Sequence, residues 1–181
     1  AGAKAIQLHT GGMCHLDAEM TRQGLEGLGT QDVDLVVLEN VGNLVCPAEF
    51  DTGAVKNAMI LSVPEGDDKP LKYPLMFQVC DVVLINKIDV LPYFDFDMDK
   101  CREYIAMRNP NAKVIPICAK TEEDIAGSTQ EEKIAFLQEM GIESTGLDKL
   151  IKASYELLGL ISFLTDGKKE CRAWTIRKGT K

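Results

Sequence analysis

Val82-Val83-Leu84-Ile85-Asn86-Lys87-Ile88-Asp89 joins four apolar residues to a polar loop, and its reading decides the fold. A short run that is apolar on both faces, rich in β-branched residues and bounded by polar ones, is the pattern of a buried strand in a parallel sheet. Similar runs stand at Ala5-Ile6-Gln7-Leu8, Leu35-Val36-Val37-Leu38, Met59-Ile60-Leu61-Ser62-Val63 and Val114-Ile115-Pro116-Ile117. Apolar positions three and four apart predict helices between them, over about 16–28, 71–79 and 98–107. The alternation predicts an α/β fold with a doubly wound parallel sheet. Ligands of such sheets gather in the loops that leave the carboxyl ends of the strands. Those loops hold the unusual residues, Thr10–His15, Glu39–Asn43, Asn86–Asp89 and Cys118–Lys120, so the strand ends are expected to converge on one site.

Asn86-Lys87-Ile88-Asp89 matches the N-K-x-D element of guanine-nucleotide proteins, and the spacing has a mechanism. A carboxylate at Asp89 can accept hydrogen bonds from two guanine ring donors at once, the Lys87 stem can cover the base, and Asn86 can brace the loops. Adenine offers no such donor pair on that edge. Cys118-Ala119-Lys120, after the next strand, can offer a backbone N–H to the guanine carbonyl. Asn, Lys and Asp are also ordinary turn residues, which is the plainer reading of the tetrapeptide alone.

Glu39 ends the run Leu35–Leu38, and Gly42 follows it in a flexible loop. A phosphate-binding α/β protein holds Mg²⁺ through water at such an acid and senses the γ-phosphate with such a loop, so Glu39 and Gly42 are the catalytic candidates. A strand-end acid on a polar rim is the alternative. Cys14, His15 and Cys46 offer two thiolates and an imidazole, donors that suit Zn²⁺ or Ni²⁺. Three ligands fall one short of a closed tetrahedral site, which points to completion by water or by a second subunit. Against this, free cysteine is commonly just a small buried hydrophobe, and that is the reading for Cys80 and Cys101 in helical stretches and for Cys171 in the tail.

The phosphate-gripping G-x-x-x-x-G-K-[ST] does not occur in the 181 residues: Gly167-Lys168 is followed by Lys169, and Ser162 stands where the first Gly belongs. Twenty basic against 28 acidic side chains leave a net charge of −8, so bulk charge argues against a nucleic-acid binder. No apolar run approaches the roughly 20 residues of a membrane helix, and no basic-then-apolar leader opens the chain, which reads as cytoplasmic with reduced thiols. The opening Ala1-Gly2-Ala3, without an initiator Met, suggests a trimmed chain or a fragment.

Beyond Lys120 two helices are expected, over about 130–140 and 147–158, with a stop at Gly141 and a restart near Ser144-Thr145-Gly146. The tail Cys171-Arg172-Ala173-Trp174-Thr175-Ile176-Arg177 alternates like a strand but has no expected partner, so it should fray or pair on a neighbour.

His9–Ala18, Glu39-Asn40-Val41-Gly42-Asn43-Leu44-Val45-Cys46-Pro47-Ala48-Glu49-Phe50-Asp51 and Glu65–Pro74 resemble the HypB family, over about residues 4–120. The resemblance implies a dimeric P-loop GTPase of the SIMIBI-like type that helps deliver nickel to hydrogenase, here lacking its N-terminal P-loop unit. It implies a nickel or zinc site at the subunit interface with Cys14, His15 and Cys46 as ligands, guanine contacts at Asn86, Lys87 and Asp89, and GTP with Mg²⁺ as cofactors. It further implies hydrogenase maturation proteins and the hydrogenase large subunit as partners. From about Ile117 onward, Gln130–Glu143, Ser154–Thr165 and Arg172–Lys181 resemble the YchF (Obg-like ATPase) family. The expected organisation is a partial GTPase domain over 1–120, a helical extension over 121–165, and the start of a truncated TGS-like domain over 166–181. YchF proteins carry an altered base element that favours ATP, whereas Asp89 keeps the guanine-selective acid. The expected function is a GTP-binding nickel metallochaperone. A metal-binding interaction module without turnover and a YchF-type translation factor are the alternatives.

Overall fold

The computed structural model describes residues 3–140, 144–167 and 170–180. Its first helix, α1 (Ala18–Leu28), starts where the Asp17 carboxylate accepts from the Met20 N–H at 2.8 Å, and stops at Gly29, whose φ of +67° suits the left-handed cap. A short α2 (Cys46–Glu49) precedes the first strand, β1 (Ala58–Ser62). The single helix expected over 71–79 is two pieces, α3 (Lys69–Lys72) and α4 (Pro74–Val79). Pro74 has no N–H to continue the ladder and drives Tyr73 out of the helical region, to φ −126° and ψ 58°.

Strand β2 (Val82–Asn86), helix α5 (Met98–Arg108) and strand β3 (Lys113–Pro116) complete the central unit. Beyond it come α6 (Ala119–Ala126), α7 (Gln130–Met140), α8 (Gly146–Leu158), β4 (Leu160–Asp166) and β5 (Cys171–Arg177). The restart expected near Ser144 is present, with the Thr145 hydroxyl accepting from the Asp148 N–H at 2.9 Å. The stop expected at Gly141 lies outside the described residues.

The sheet is parallel in the order β1-β2-β3, pairing Ile60 with Leu84 and Leu84 with Ile115. Alternation along the strands sorts two layers. Met59, Leu61, Val83 and Ile85 face Met76, Phe77, Cys80, Cys101 and Ile105 of the α4 and α5 segments. Val82, Leu84 and Ile115 face the other way, onto Ala153, Leu150 and Leu157 of α8. Strand β2 is therefore buried on both faces, which is why it is uniformly apolar, and the C-terminal segment supplies the second layer. That layer stops short of β1, leaving Ile60 57% exposed.

Two expected strands are not formed. Ala5–Leu8 and Leu35–Leu38 carry no strand pairing among the described residues, and Leu35 and Val37 are 70% and 84% exposed. An apolar run becomes a strand only where a neighbour takes its N–H and C=O groups, and the ladder ends at β1. Ile6 and Leu8 instead lean on α1, against the bare Cα positions of Gly27 and Gly24. The convergence of four strand ends is corrected accordingly, since of the four expected ends those at Asn86 and Pro116 belong to strands that pair with each other, β2 and β3, and those after Leu8 and Leu38 end no strand.

The tail does find a partner. β5 pairs antiparallel with β4 from Leu160↔Arg177 to Asp166↔Cys171, so residues 160–165 are strand rather than helical extension, and the break expected at 165/166 falls inside a hairpin. Phe163 sits opposite Trp174, and the Trp174 indole N–H donates to the Thr165 hydroxyl at 2.8 Å. Cys171 is exposed, not packed in the core, because the hairpin lays no second layer over it. Cys80 and Cys101 are buried as expected, and burial pushes both thiols up to about 12. No helix among the described residues is long and apolar enough to cross a membrane.

Candidate functional site

The predicted residues gather into two groups. The first forms where β2 and β3 end. Asn86 closes β2, and its carboxamide oxygen accepts from the Lys87 N–H at 2.8 Å and from the Ala119 N–H at 3.0 Å, tying the two loops together. Backbone bonds from Ile117 N to the Ile85 carbonyl (2.8 Å) and from Ile88 N to the Ile117 carbonyl (3.3 Å) extend the tie. Lys87 takes a left-handed φ of +62°, uncommon outside glycine, and so turns the chain sharply between Asn86 and Asp89.

An open cavity of about 490 Å³ results, lined by Asn86, Lys87, Asp89, Val90, Cys118, Ala119, Lys120 and Glu123. All six nucleotide candidates line it. The Cys118 thiol donates to the Asp89 carboxylate at 3.1 Å. The Ala119 N–H is spent on Asn86, and the Lys120 N–H, next in the first turn of α6, has no intrahelical acceptor. The Lys120 ammonium reaches Asp124 at 2.8 Å and Glu123 at 3.4 Å, and Asp124 followed by Glu123 raises its pKa. It points along α6 to its own carboxylates.

The second group joins the loop before α1 to the start of α2. The sulfurs of Cys14 and Cys46, 32 positions apart in sequence, lie 2.7 Å from each other. His15 Nδ1 is 3.9 Å from the Cys14 sulfur, and the imidazole, 9% exposed, stacks on Phe50 at 3.6 Å and 9°. The hydrogen bond with the Cys14 thiol, then burial, pushes the Cys46 thiol above its ordinary range. The donor set suits a soft or borderline divalent ion. Two sulfurs on one tetrahedral ion at the usual ~2.3 Å sit about 3.8 Å apart, so the pair must open by about 1 Å to hold one. Among the described residues no three His, Cys, Asp or Glu side chains form a ready-made metal cage.

Two asparagines hold this group together, and neither has a role assigned from sequence. Asn40 Oδ1 accepts from Leu16 N and Val41 N, each at 2.8 Å. Asn43 donates from Nδ2 to the Cys14 carbonyl at 2.7 Å and accepts at Oδ1 from Val45 N (3.1 Å) and Cys46 N (3.0 Å). The signal was an asparagine two and three residues before those N–H groups, the spacing of an Asx turn. Glu39 and Gly42 lie exposed in the same loop, beside Asn40 and Asn43 in sequence, rather than on the wall of the cavity between the β2 and β3 ends.

Residues 1–116 match the family model described as CobW/HypB/UreG, nucleotide-binding domain. The chain is similar to the hydrogenase maturation factor HypB of Azotobacter chroococcum mcd 1, with 51% identity over 122 residues that cover 67% of this chain and 40% of the relative. The HypB of Escherichia coli K12 is 48% identical over 122 residues, covering 67% and 42%. The chain thus spans about two fifths of the length of these curated relatives. Among solved structures, HypB from Helicobacter pylori in complex with nickel superimposes with a TM-score of 0.62 at 36% identity, covering 80% of this chain and 68% of that one. HypB from Archaeoglobus fulgidus gives 0.60 at 39%, covering 73% and 67%.

Proposed function

This chain belongs to the CobW/HypB/UreG nucleotide-binding family, and from that premise we propose that it is a guanine-nucleotide-binding nickel carrier of hydrogenase maturation. The observation that carries the reading is the pair of free thiols, Cys14 and Cys46, brought to 2.7 Å beside the His15 imidazole. Nickel is the cargo, and Zn²⁺ competes for the same donors. Two thiolates and an imidazole leave a coordination position open for a donor from a second copy or from a recipient, which suits transfer and supports a homodimer. The recipients are hydrogenase maturation proteins and the hydrogenase large subunit, met in the cytoplasm.

The base sits in the cavity between Asn86–Asp89 and Cys118–Lys120. Asp89 takes the two ring donors, Lys87 lies along the ring face, and the Lys120 N–H meets the carbonyl. When bound, Mg²⁺ neutralises phosphate charge, with Glu39 as its water-mediated partner and Gly42 as the pivot of the sensing loop. Because Glu39–Asn43 continues into Cys46, a shift of that loop moves one metal ligand.

The test titrates the full chain with Ni²⁺ while following thiolate-to-metal charge-transfer absorbance. Cys14→Ser, His15→Ala and Cys46→Ser are each expected to lose the band or weaken binding at least tenfold. Three variants that bind as well as the parent would make these residues packing groups and remove the chemical basis of the reading.

A further inference from the structure

We propose that Asn43 is a positioning residue for the Cys14–Cys46 pair, its one carboxamide setting the spacing at which the two sulfurs meet a divalent metal; this rests on reading that pair as the metal site. The two thiols belong to segments far apart in sequence, Cys14 to the loop before α1 and Cys46 to the start of α2, and neither segment is part of the sheet. Two segments outside the sheet hold their thiols in register only if something links their backbones. Asn43 does so from both ends. Nδ2 donates to the carbonyl of Cys14 at 2.7 Å, and Oδ1 accepts from the N–H of Cys46 at 3.0 Å and of Val45 at 3.1 Å. Its own N–H donates to the Val41 carbonyl at 2.8 Å, which holds the side chain's root in place.

The chemistry selects asparagine. A carboxamide carries a donor and an acceptor on one rigid plane. Aspartate keeps the acceptor for Val45 and Cys46 but sets an oxygen against the Cys14 carbonyl, and alanine removes both contacts. Every one of these bonds goes to main chain, so Asn43 uses no sulfur lone pair and leaves both thiols free for the ion. Partners of this kind, one step behind the ligands, are commonly worth 10–100-fold in metal affinity.

The test uses the whole 181-residue chain and two probes, Ni²⁺ alone and phenylarsine oxide, whose trivalent arsenic closes a ring only on two neighbouring thiols. Asn43→Ala is expected to weaken Ni²⁺ binding and slow arsenical capture by 10–100-fold each. Asn43→Asp, which keeps the Cys46 side of the clamp, is expected to fall between parent and Asn43→Ala and serves alone if the alanine variant does not fold. Iodoacetamide labelling of buried Cys80 and Cys101 should stay at the parent level in both.

Parent-like capture and Ni²⁺ affinity in the Asn43 variants overturn the inference. So does loss accompanied by labelling of Cys80 and Cys101, which would mark general loosening. If Cys14→Ser and Cys46→Ser keep Ni²⁺ binding, the metal reading fails by itself, while the arsenical arm still reports whether Asn43 sets the thiol spacing.

Discussion

The Cys118 thiol donates to the Asp89 carboxylate across 3.1 Å, so the acid in the cavity wall is steadied from the loop of the neighbouring strand. That bond uses one lone pair of Oδ1 and leaves the other acceptor positions of the carboxylate available at the cavity wall. Calorimetric titration is expected to show GTP and GDP binding and ATP not. Asp89→Asn should lower guanine-nucleotide affinity about 100-fold, for two charge-assisted hydrogen bonds at roughly 1.5 kcal/mol each. Cys118→Ala should cost about 1 kcal/mol, or roughly fivefold, with Cys118→Ser restoring it. ATP bound as tightly as GTP, with Asp89→Asn changing nothing, would refute the base assignment.

Turnover is a separate question from base binding. Phosphoryl transfer depends on positioning and charge neutralisation by P-loop amides, their Lys and Mg²⁺, and the 181 residues contain no G-x-x-x-x-G-K-[ST]. The purified chain is expected to release negligible phosphate from GTP and to gain activity when a P-loop strand and helix are supplied ahead of it. Robust release that Glu39→Ala abolishes would show that another element does the work.

Asp81 ties together the entry ends of all three parallel strands. Its carboxylate accepts from Lys56 Nζ at 2.7 Å and from the Asn57 N–H at 2.9 Å, its N–H donates to the Asn57 carbonyl at 2.7 Å, and its carbonyl accepts from Lys113 N at 2.9 Å. Burial acts to raise the carboxyl pKa, but the Lys56 ammonium and the Asn57 N–H together outweigh it, and the group titrates below the ordinary range. A folded pKa below the unfolded one gives stability that is present above about pH 4 and lost as pH falls through the folded value. Asp81→Asn is expected to lose about 1–2 kcal/mol at pH 7 by urea unfolding, with the gap closing toward pH 3. A gap of the same size at both pH values would contradict this.

Gly146, at the start of α8, approaches the end of β3 more closely than any side chain allows. A Cβ there would stand 2.7 Å from Ile117 Cγ2 and 2.9 Å from Glu122 Oε1, the atom that accepts the Gly146 N–H at 2.6 Å. Ile117 cannot yield easily, since it is β-branched and its backbone is bonded to both Ile85 and Ile88. Gly146→Ala should therefore destabilise the chain by about 1–3 kcal/mol, although alanine favours a helix. A raised urea midpoint would show that α8 can shift away without loss.

The local pattern made the central unit legible, together with the polar loop Asn86–Asp89 that leaves β2. Val82–Ile85 was readable as buried on both faces from its own composition, and Asn86–Asp89 from its spacing, because strand burial and loop chemistry are written in consecutive residues. α5 and the pair of buried thiols, Cys80 and Cys101, followed for the same reason. Ala5–Leu8 and Leu35–Leu38 did not, because pairing depends on a neighbour and the apolar pattern is blind to whether one lies alongside. The same holds for β5, whose partner β4 lies four intervening residues before it yet falls in the stretch expected to be a helical extension.

Sequence by itself determined the types of donor available, two thiols, an imidazole and a carboxylate on the right tetrapeptide, since chemistry belongs to residues. Tertiary structure decided what meets what. Cys14 and Cys46 come together where Asn40 and Asn43 bond the loop before α1 to the segment that leads into α2, and the Asp89 carboxylate accepts from Cys118 at the end of a different strand. Such contacts depend on distances between segments remote in sequence, which only the packed sheet and the helices on its two faces can set.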